Sequence, residues 1–427
     1  MNKLLIGILV LVVVSVLLLQ IDDDLDPGAM RLLELSQSKG DSKAYLYLMG
    51  IVASADEDPL QVGKDILESI REGEDDSLSE KKEFECQDDP DEKKLPLPDG
   101  EAFCGSREKA CLEYIFSDDY NLKAILSSHA ILFDRYREYL KLNDYKTLTR
   151  PTLLEPIPHY EYIRKGNRIL LLKAINTARE SKLAQATEMI TNNISESRSH
   201  LKQSDTLIGK MIYLTQISDN LDVLSVLIRK DSNTLKQEIK PVSLDERNFE
   251  ILMSREFGLV YDMYTNLDRD SDFLKTTDDN DGYAPGWYVR TIFKPNMTSN
   301  SAYISFQNTI NLSHLKQKEF AEAVLARDSY KPGALSYIRN YSGNVLNRVG
   351  GSADYNQYVA RFFDINAKIA LLNETAGKDL SSDTLGNIKN PYYENSNPAF
   401  FSDDGKRICL NGPLKDNRNL RCLRIKI

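Results

Sequence analysis

The stretch from Tyr160 to Lys230 reads YEYIRKGNRILLLKAINTARESKLAQATEMITNNISESRSHLKQSDTLIGKMIYLTQISDNLDVLSVLIRK. Its apolar residues recur in steps of three and four: Ile163, Leu170, Leu171, Ala174, Ile175 and Ala178, then Leu183, Ala186, Met189, Ile190 and Ile194. A third run holds Leu207, Ile208, Met211, Ile212 and Leu214, and a fourth Leu221, Leu224, Leu227 and Ile228. Such spacing keeps one stripe on one helix face, and that stripe must be buried against a neighbour. The breaks are short and polar, so neighbouring helices run antiparallel. The pattern predicts two successive helical hairpins at the centre of a mainly α protein, an irregular solenoid-like stack of antiparallel hairpins.

Outward from this centre the chain divides into six parts. Residues 1–25 are expected to form a transmembrane anchor and 26–71 a short helical segment. Residues 72–103 read as an acidic mobile loop and 104–266 as the hairpin stack. A second helical region with acidic and aromatic loops spans 267–385, and a turn-rich tail with a β-hairpin spans 386–427. The whole is ordinary globular material, 41% hydrophobic and 28% charged. A formal charge of -10 argues against nucleic acid, whose phosphates need a basic face.

The anchor rests on Leu4 to Ile21, LLIGILVLVVVSVLLLQI, with Lys3 before it and Asp22, Asp23 and Asp24 after it. A helix of that length spans roughly 27 Å, enough for a hydrocarbon core. A cleaved signal peptide is the competing reading, but no small-x-small cleavage site follows Leu19. The charge asymmetry places the amino terminus in the cytoplasm and the remainder outside it. Five cysteines follow, at 86, 104, 111, 409 and 422. Outside the cytoplasm thiols pair, and the simplest local pairs are Cys104 with Cys111 and Cys409 with Cys422.

Several local signals punctuate the remainder. Asp58-Pro59 starts a helix with an N-cap and a proline at the first position. Ser243 and Glu246 form a capping box for a helix reaching about Asn266, and Asn296 caps another. Asp268, Asp270 and Asp272 imitate the start of a calcium loop, but Phe273 and Asp279 break the pattern, so a solvated loop is expected. GWYVRTIFKP at 286–295 is the most aromatic segment. Trp287, Tyr288 and Arg290 there form a candidate interface rim, against the alternative of a core-packing connector. Strands near 407–410 and 420–427 flank Asn411-Gly412-Pro413 and suggest the hairpin.

Catalytic motifs are absent from the sequence. There is no G-x-S-x-G, H-E-x-x-H or phosphate-binding loop, and the four histidines are scattered. Ser313-x-x-Lys316 has a serine–lysine spacing without supporting motifs, and Glu250 with Glu256 offers a carboxylate pair only if folding joins them. No cofactor and no metal are expected.

AYLYLMGIVASADEDPLQVGKDIL at 44–67, FCGSREKACL at 103–112, DTLIGKM at 205–211 and NVLNRVGGSADYNQYVARFFDIN at 344–366 stand beside the anchor and the NPYY-to-hairpin tail. Together they resemble a group of uncharacterised, membrane-anchored, mostly helical proteins of Gram-negative bacteria. The resemblance implies a single-pass, inner-membrane location with the bulk of the chain in the periplasm, and brings no activity with it. ARESKLAQATEMI at 178–190 also resembles a tetratricopeptide-type helix pair, although no regular repeat period is visible. The expectation is a membrane-tethered interaction or scaffold protein that holds a protein partner of the cell envelope. The alternative is an envelope hydrolase or other enzyme.

Overall fold

Seventeen α-helices and three short strands follow one another among the described residues. The helices are α1 (Asn2–Gln20), α2 (Pro27–Ser36), α3 (Lys43–Met49), α4 (Pro59–Glu80), α5 (Cys111–Ile115), α6 (Leu122–Ser128), α7 (Ala130–Leu140), α8 (Tyr160–Arg179) and α9 (Leu183–Gln203). They continue with α10 (Leu207–Ile228), α11 (Glu250–Asn266), α12 (Pro295–His314), α13 (Gln317–Leu325), α14 (Ala334–Arg339), α15 (Tyr341–Val349), α16 (Asn356–Thr375) and α17 (Ser382–Gly386). The strands β1 (Phe400–Phe401), β2 (Arg407–Cys409) and β3 (Cys422–Arg424) close the chain. This computed structural model describes residues 2–37, 40–80, 94–105, 110–117, 119–153, 155–229, 237–267, 292–326, 332–349, 355–394 and 396–427.

The third and fourth apolar runs of the central stretch fuse into one helix, α10, so the centre is three long helices and not two hairpins. Nothing between Leu214 and Leu221 breaks a helix; Gln216, Ile217 and Asn220 in that gap are all buried. Two other expectations also shift. The start of the hairpin stack expected over 104–266 is instead three short helices, α5, α6 and α7, with the Asn121 side chain capping α6 through the Ala124 amide at 3.0 Å. The acidic loop begins late, because α4 starts at Pro59 as expected but continues to Glu80.

Packing also departs from a repeat stack, in which each unit would touch only its neighbours. Helices α8, α9 and α10 pack on one another, α16 covers α10, and α2 lies against α11 from far away in sequence. A single core runs from Ala29 to Ile425.

The centre of that core is polar. Asn193 on α9 donates to Asn167 on α8 at 2.7 Å and to Asn220 on α10 at 3.0 Å. Asn220 donates in turn to Asn167 at 3.0 Å, and the Tyr136 hydroxyl of α7 donates to Asn193 at 2.7 Å. Gln216 donates to Tyr136 at 2.6 Å and to Ser197 at 2.9 Å. One turn away, the His200 ring lies between Tyr139 and Tyr213, with centroids 4.5 and 5.4 Å distant. Burial drives the His200 pKa down to about 4, so the ring is neutral at pH 7.

The tail is a three-stranded antiparallel sheet in the order β1-β2-β3, one strand more than the expected hairpin. Cys409 lies opposite Cys422 in register, and the two are bonded, as are Cys104 and Cys111. Arg424, buried in β3, reaches Glu113 on α5 at 2.5 Å, and Lys406 reaches the same carboxylate at 2.7 Å. Burial opposes the charge on Glu113, but these two donors prevail and draw its pKa down to about 2.

At the other end, α1 stands clear of the core with Leu4, Leu5, Ile6, Leu9 and Leu11 exposed. Among the described residues no helix is long and apolar enough to cross a membrane, so the transmembrane anchor expected over residues 1–25 is not among the elements the structure shows. The foot of α1 is fixed to the body. Asp22 accepts the amides of Asn296 and Met297 at 2.8 and 3.1 Å, capping α12 from 274 residues away. Asn296, expected to be that cap, lies inside the first turn and donates to Asp23 O. Arg339 donates to Ile21 O at 2.6 Å and to Asp23 at 2.8 Å.

Two outcomes test this core. Replacing Asn193→Ala strands the Tyr136, Asn167 and Asn220 groups together and should destabilise by about 2–4 kcal/mol, while Asn192→Ala on the exposed face of α9 stays within about 0.5 kcal/mol; equal denaturation midpoints would refute the network. His200 binds its proton less readily when folded than when unfolded, so its contribution to stability is complete above pH 6.5 and is lost as the pH falls toward about 4. Thermal melts from pH 7 to pH 4 should therefore fall more steeply for the wild-type chain than for His200→Phe, which keeps a ring between the two tyrosines.

Candidate functional site

A cleft of about 680 Å3 opens where the start of α8 faces the start of α10. Four charged residues of α8 line it, Glu161, Arg164, Lys165 and Arg168, spaced by three and four so that they share a face. The opposite wall is apolar, from Leu207, Ile208, Met211 and Ile212 in the first turns of α10. Tyr358 and Arg361 of α16 and Arg418 of the tail complete the sides, and Phe103 with Cys104 forms the rim.

The cations are positioned by stated contacts. Lys165 sits over the Phe103 ring, 5.3 Å from its centre. Arg168 donates to Cys104 O at 3.0 Å, so the Cys104–Cys111 bond braces the loop on which that guanidinium rests. Arg361 stacks 4.4 Å from the Tyr358 ring and donates to the Met211 sulfur at 3.2 Å. Burial, with Arg164 and Arg168 beside it, holds the Lys165 ammonium below its usual range. A hydrogen bond from His159 keeps Glu161 below the usual carboxylate range, against its partial burial.

Five cations thus face two carboxylates, Glu161 and Asp219, in a chain whose formal charge is -10. At the floor Gln216 is 3% exposed, and its Oε1 is buried with no hydrogen-bond partner while its amide nitrogen joins the polar core. The arrangement suits a molecule with negative charge and an apolar part.

The residues singled out from sequence fare differently. Trp287, Tyr288 and Arg290 lie outside the described residues, as do the calcium-like acidic loop and Cys86. Ser313 is buried and donates to Ile310 O at 2.7 Å, whereas Lys316 is exposed, so the two form no dyad. Glu250 pairs with Arg31 at 2.6 Å and Glu256 accepts from Tyr355 at 3.2 Å; they do not converge. The Ser243–Glu246 box forms, but it encloses one turn and α11 begins later, at Glu250. Arg198 claims both Glu246 oxygens at 2.6 and 2.8 Å, which fixes that turn to α9. Among the described residues no group of three or more His, Cys, Asp or Glu side chains could hold a metal ion.

Sequence reasoning passed over the α8 cations, although the spacing of Arg164, Lys165 and Arg168 is visible beside the apolar stripe. Compared with protein-family models, with curated proteins and with solved structures, the chain matches none.

Proposed function

We propose that the chain is a membrane-tethered helical binding protein of the bacterial envelope, held by α1 in the inner membrane with its bulk in the periplasm. Its cleft receives an acidic, partly apolar segment of a protein partner. The convergence of five cations on an apolar wall, in an acidic protein, is the observation that carries the reading. Two bonded cysteine pairs favour an oxidising compartment. The 18-residue apolar run from Leu4 to Ile21 and the exposed side chains of α1 favour the tether. The resemblance to membrane-anchored helical proteins of Gram-negative bacteria is part of the same proposal. An enzyme gains no support from the described residues, where neither the serine–lysine nor the glutamate pair comes together.

Two measurements test it. Full-length chain in lipid nanodiscs should bind a labelled peptide of alternating glutamate and phenylalanine, more weakly as salt rises, and bind its lysine counterpart poorly. Arg164→Glu with Lys165→Glu should lower that affinity about tenfold, on the scale of two partly exposed ion pairs. Equal affinity for the two peptides, or no effect of the double change, would refute the cleft as the site. Separately, the chain in bacterial membranes should resist carbonate extraction and retain Met1; a soluble form beginning near Asp22 would remove the tether.

A further inference from the structure

Helices α14 and α15 have their polarity reversed. Apart from Leu346, which packs against the core, the inward residues of this corner, including Asn340 between the two helices, are polar or small. Asn340, fully buried, accepts from the Lys294 amide at 2.8 Å and donates to Thr298 at 2.9 Å. Asn347 donates to Thr298 O at 2.8 Å. Gly343 lies so close to α12 that a Cβ would stand 2.0 Å from the Thr298 hydroxyl. Their outward residues are apolar: Leu335 is 61% exposed, Ile338 63%, Tyr341 57% and Val349 83%. The break at Asn340, between α14 and α15, makes this corner.

A surface helix bordering water shows the opposite arrangement, with its apolar stripe turned inward. The reversal is local to the corner that grips the foot of α1. α14 packs against α1, and Arg339 between the exposed Ile338 and the buried Asn340 holds Ile21 O and Asp23. The apolar surface therefore continues the apolar surface of α1. Its two tyrosines, Tyr337 and Tyr341, and Arg348, which donates to the Tyr337 hydroxyl at 3.3 Å, are the residue types that settle at a lipid–water boundary.

We infer that α14 and α15 form a second membrane contact, lying in the interfacial layer of the bilayer that α1 enters. The occupant of this face is lipid. This inference rests on the tether proposed above. With both contacts the body cannot swing about the end of α1, and one fixed side of it faces the membrane.

The test places a fluorophore sensitive to polarity on single thiols. In a Cys86→Ser background, Ile338→Cys and Val349→Cys are compared with Leu153→Cys, another exposed apolar position that lies on the connector before α8. The full chain is reconstituted in phosphatidylethanolamine–phosphatidylglycerol vesicles, with chain-nitroxide lipid or aqueous iodide as quencher. Labels at 338 and 349 should shift to the blue, lose most of their emission to nitroxide lipid and resist iodide, whereas the label at 153 does the reverse. Labels at 338 and 349 as open to iodide as that at 153, in a chain that resists carbonate, would overturn this inference and leave the tether standing. Protection from both quenchers would mean a protein cover and would overturn it too. Release of the chain by carbonate would overturn the tether and this inference with it.

Discussion

Three asparagines in the middle of the protein, Asn167, Asn193 and Asn220, impose the constraint on which the rest depends. Apolar stripes alone tolerate a helix sliding by one turn past its neighbour, since leucine meets leucine in either position. Buried amides do not, because any slip leaves donors and acceptors unmatched where no water can reach them. Once α8, α9 and α10 are fixed against each other in this way, the charged face at the start of α8 must lie across from the apolar start of α10. The cleft follows from that register. Gln216 joins the two, with its nitrogen in the network and its oxygen at the cleft floor.

The acidic average of the chain hides this cleft because a sum over the whole chain does not say where its charges lie, and some of its carboxylates serve internal contacts. Glu113 holds Arg424 and Lys406, and Asp222 holds Lys368 at 2.7 Å and the Arg424 amide at 2.9 Å. Asp364 takes Arg421 at 3.0 Å and the Tyr392 hydroxyl at 2.7 Å; burial pushes its pKa up to about 6 against the pull of Arg421. These pairs tie the tail sheet onto α5, α10 and α16. A net charge therefore says little about any single surface.

What the sequence made legible was local. Stripes at helical spacing located the long helices, and Asp58-Pro59 located the start of α4. The two short cysteine loops paired as the simplest reading required. Long-range polar contacts were not legible. Gln216 and Asn220 looked like a break between two helices because their partners lie on α7, α8 and α9. Asn296 looked like a cap because nothing near it in sequence reveals that Asp22 supplies one from 274 residues away. The cleft was hidden for the same reason: its cations come from α8, α16 and the tail, and only folding adds them together. The aromatic segment drew attention by composition, while the exposed apolar residues between Leu335 and Val349 fell within the second helical region expected over 267–385.

The Asp22 cap has a consequence for how the molecule meets anything else. A domain on a loose leash keeps its rotational freedom until it docks, and each encounter must then freeze that freedom at the expense of affinity. Asp22, Asp23 and Arg339 set α1 in a socket at the amino-terminal end of α12, so under the proposed tether there is no loose leash. On that proposal the orientational entropy is surrendered when the chain folds, once, and not at each encounter. The body would then act as a bracket, with its cleft pointing in a direction chosen before any partner arrives.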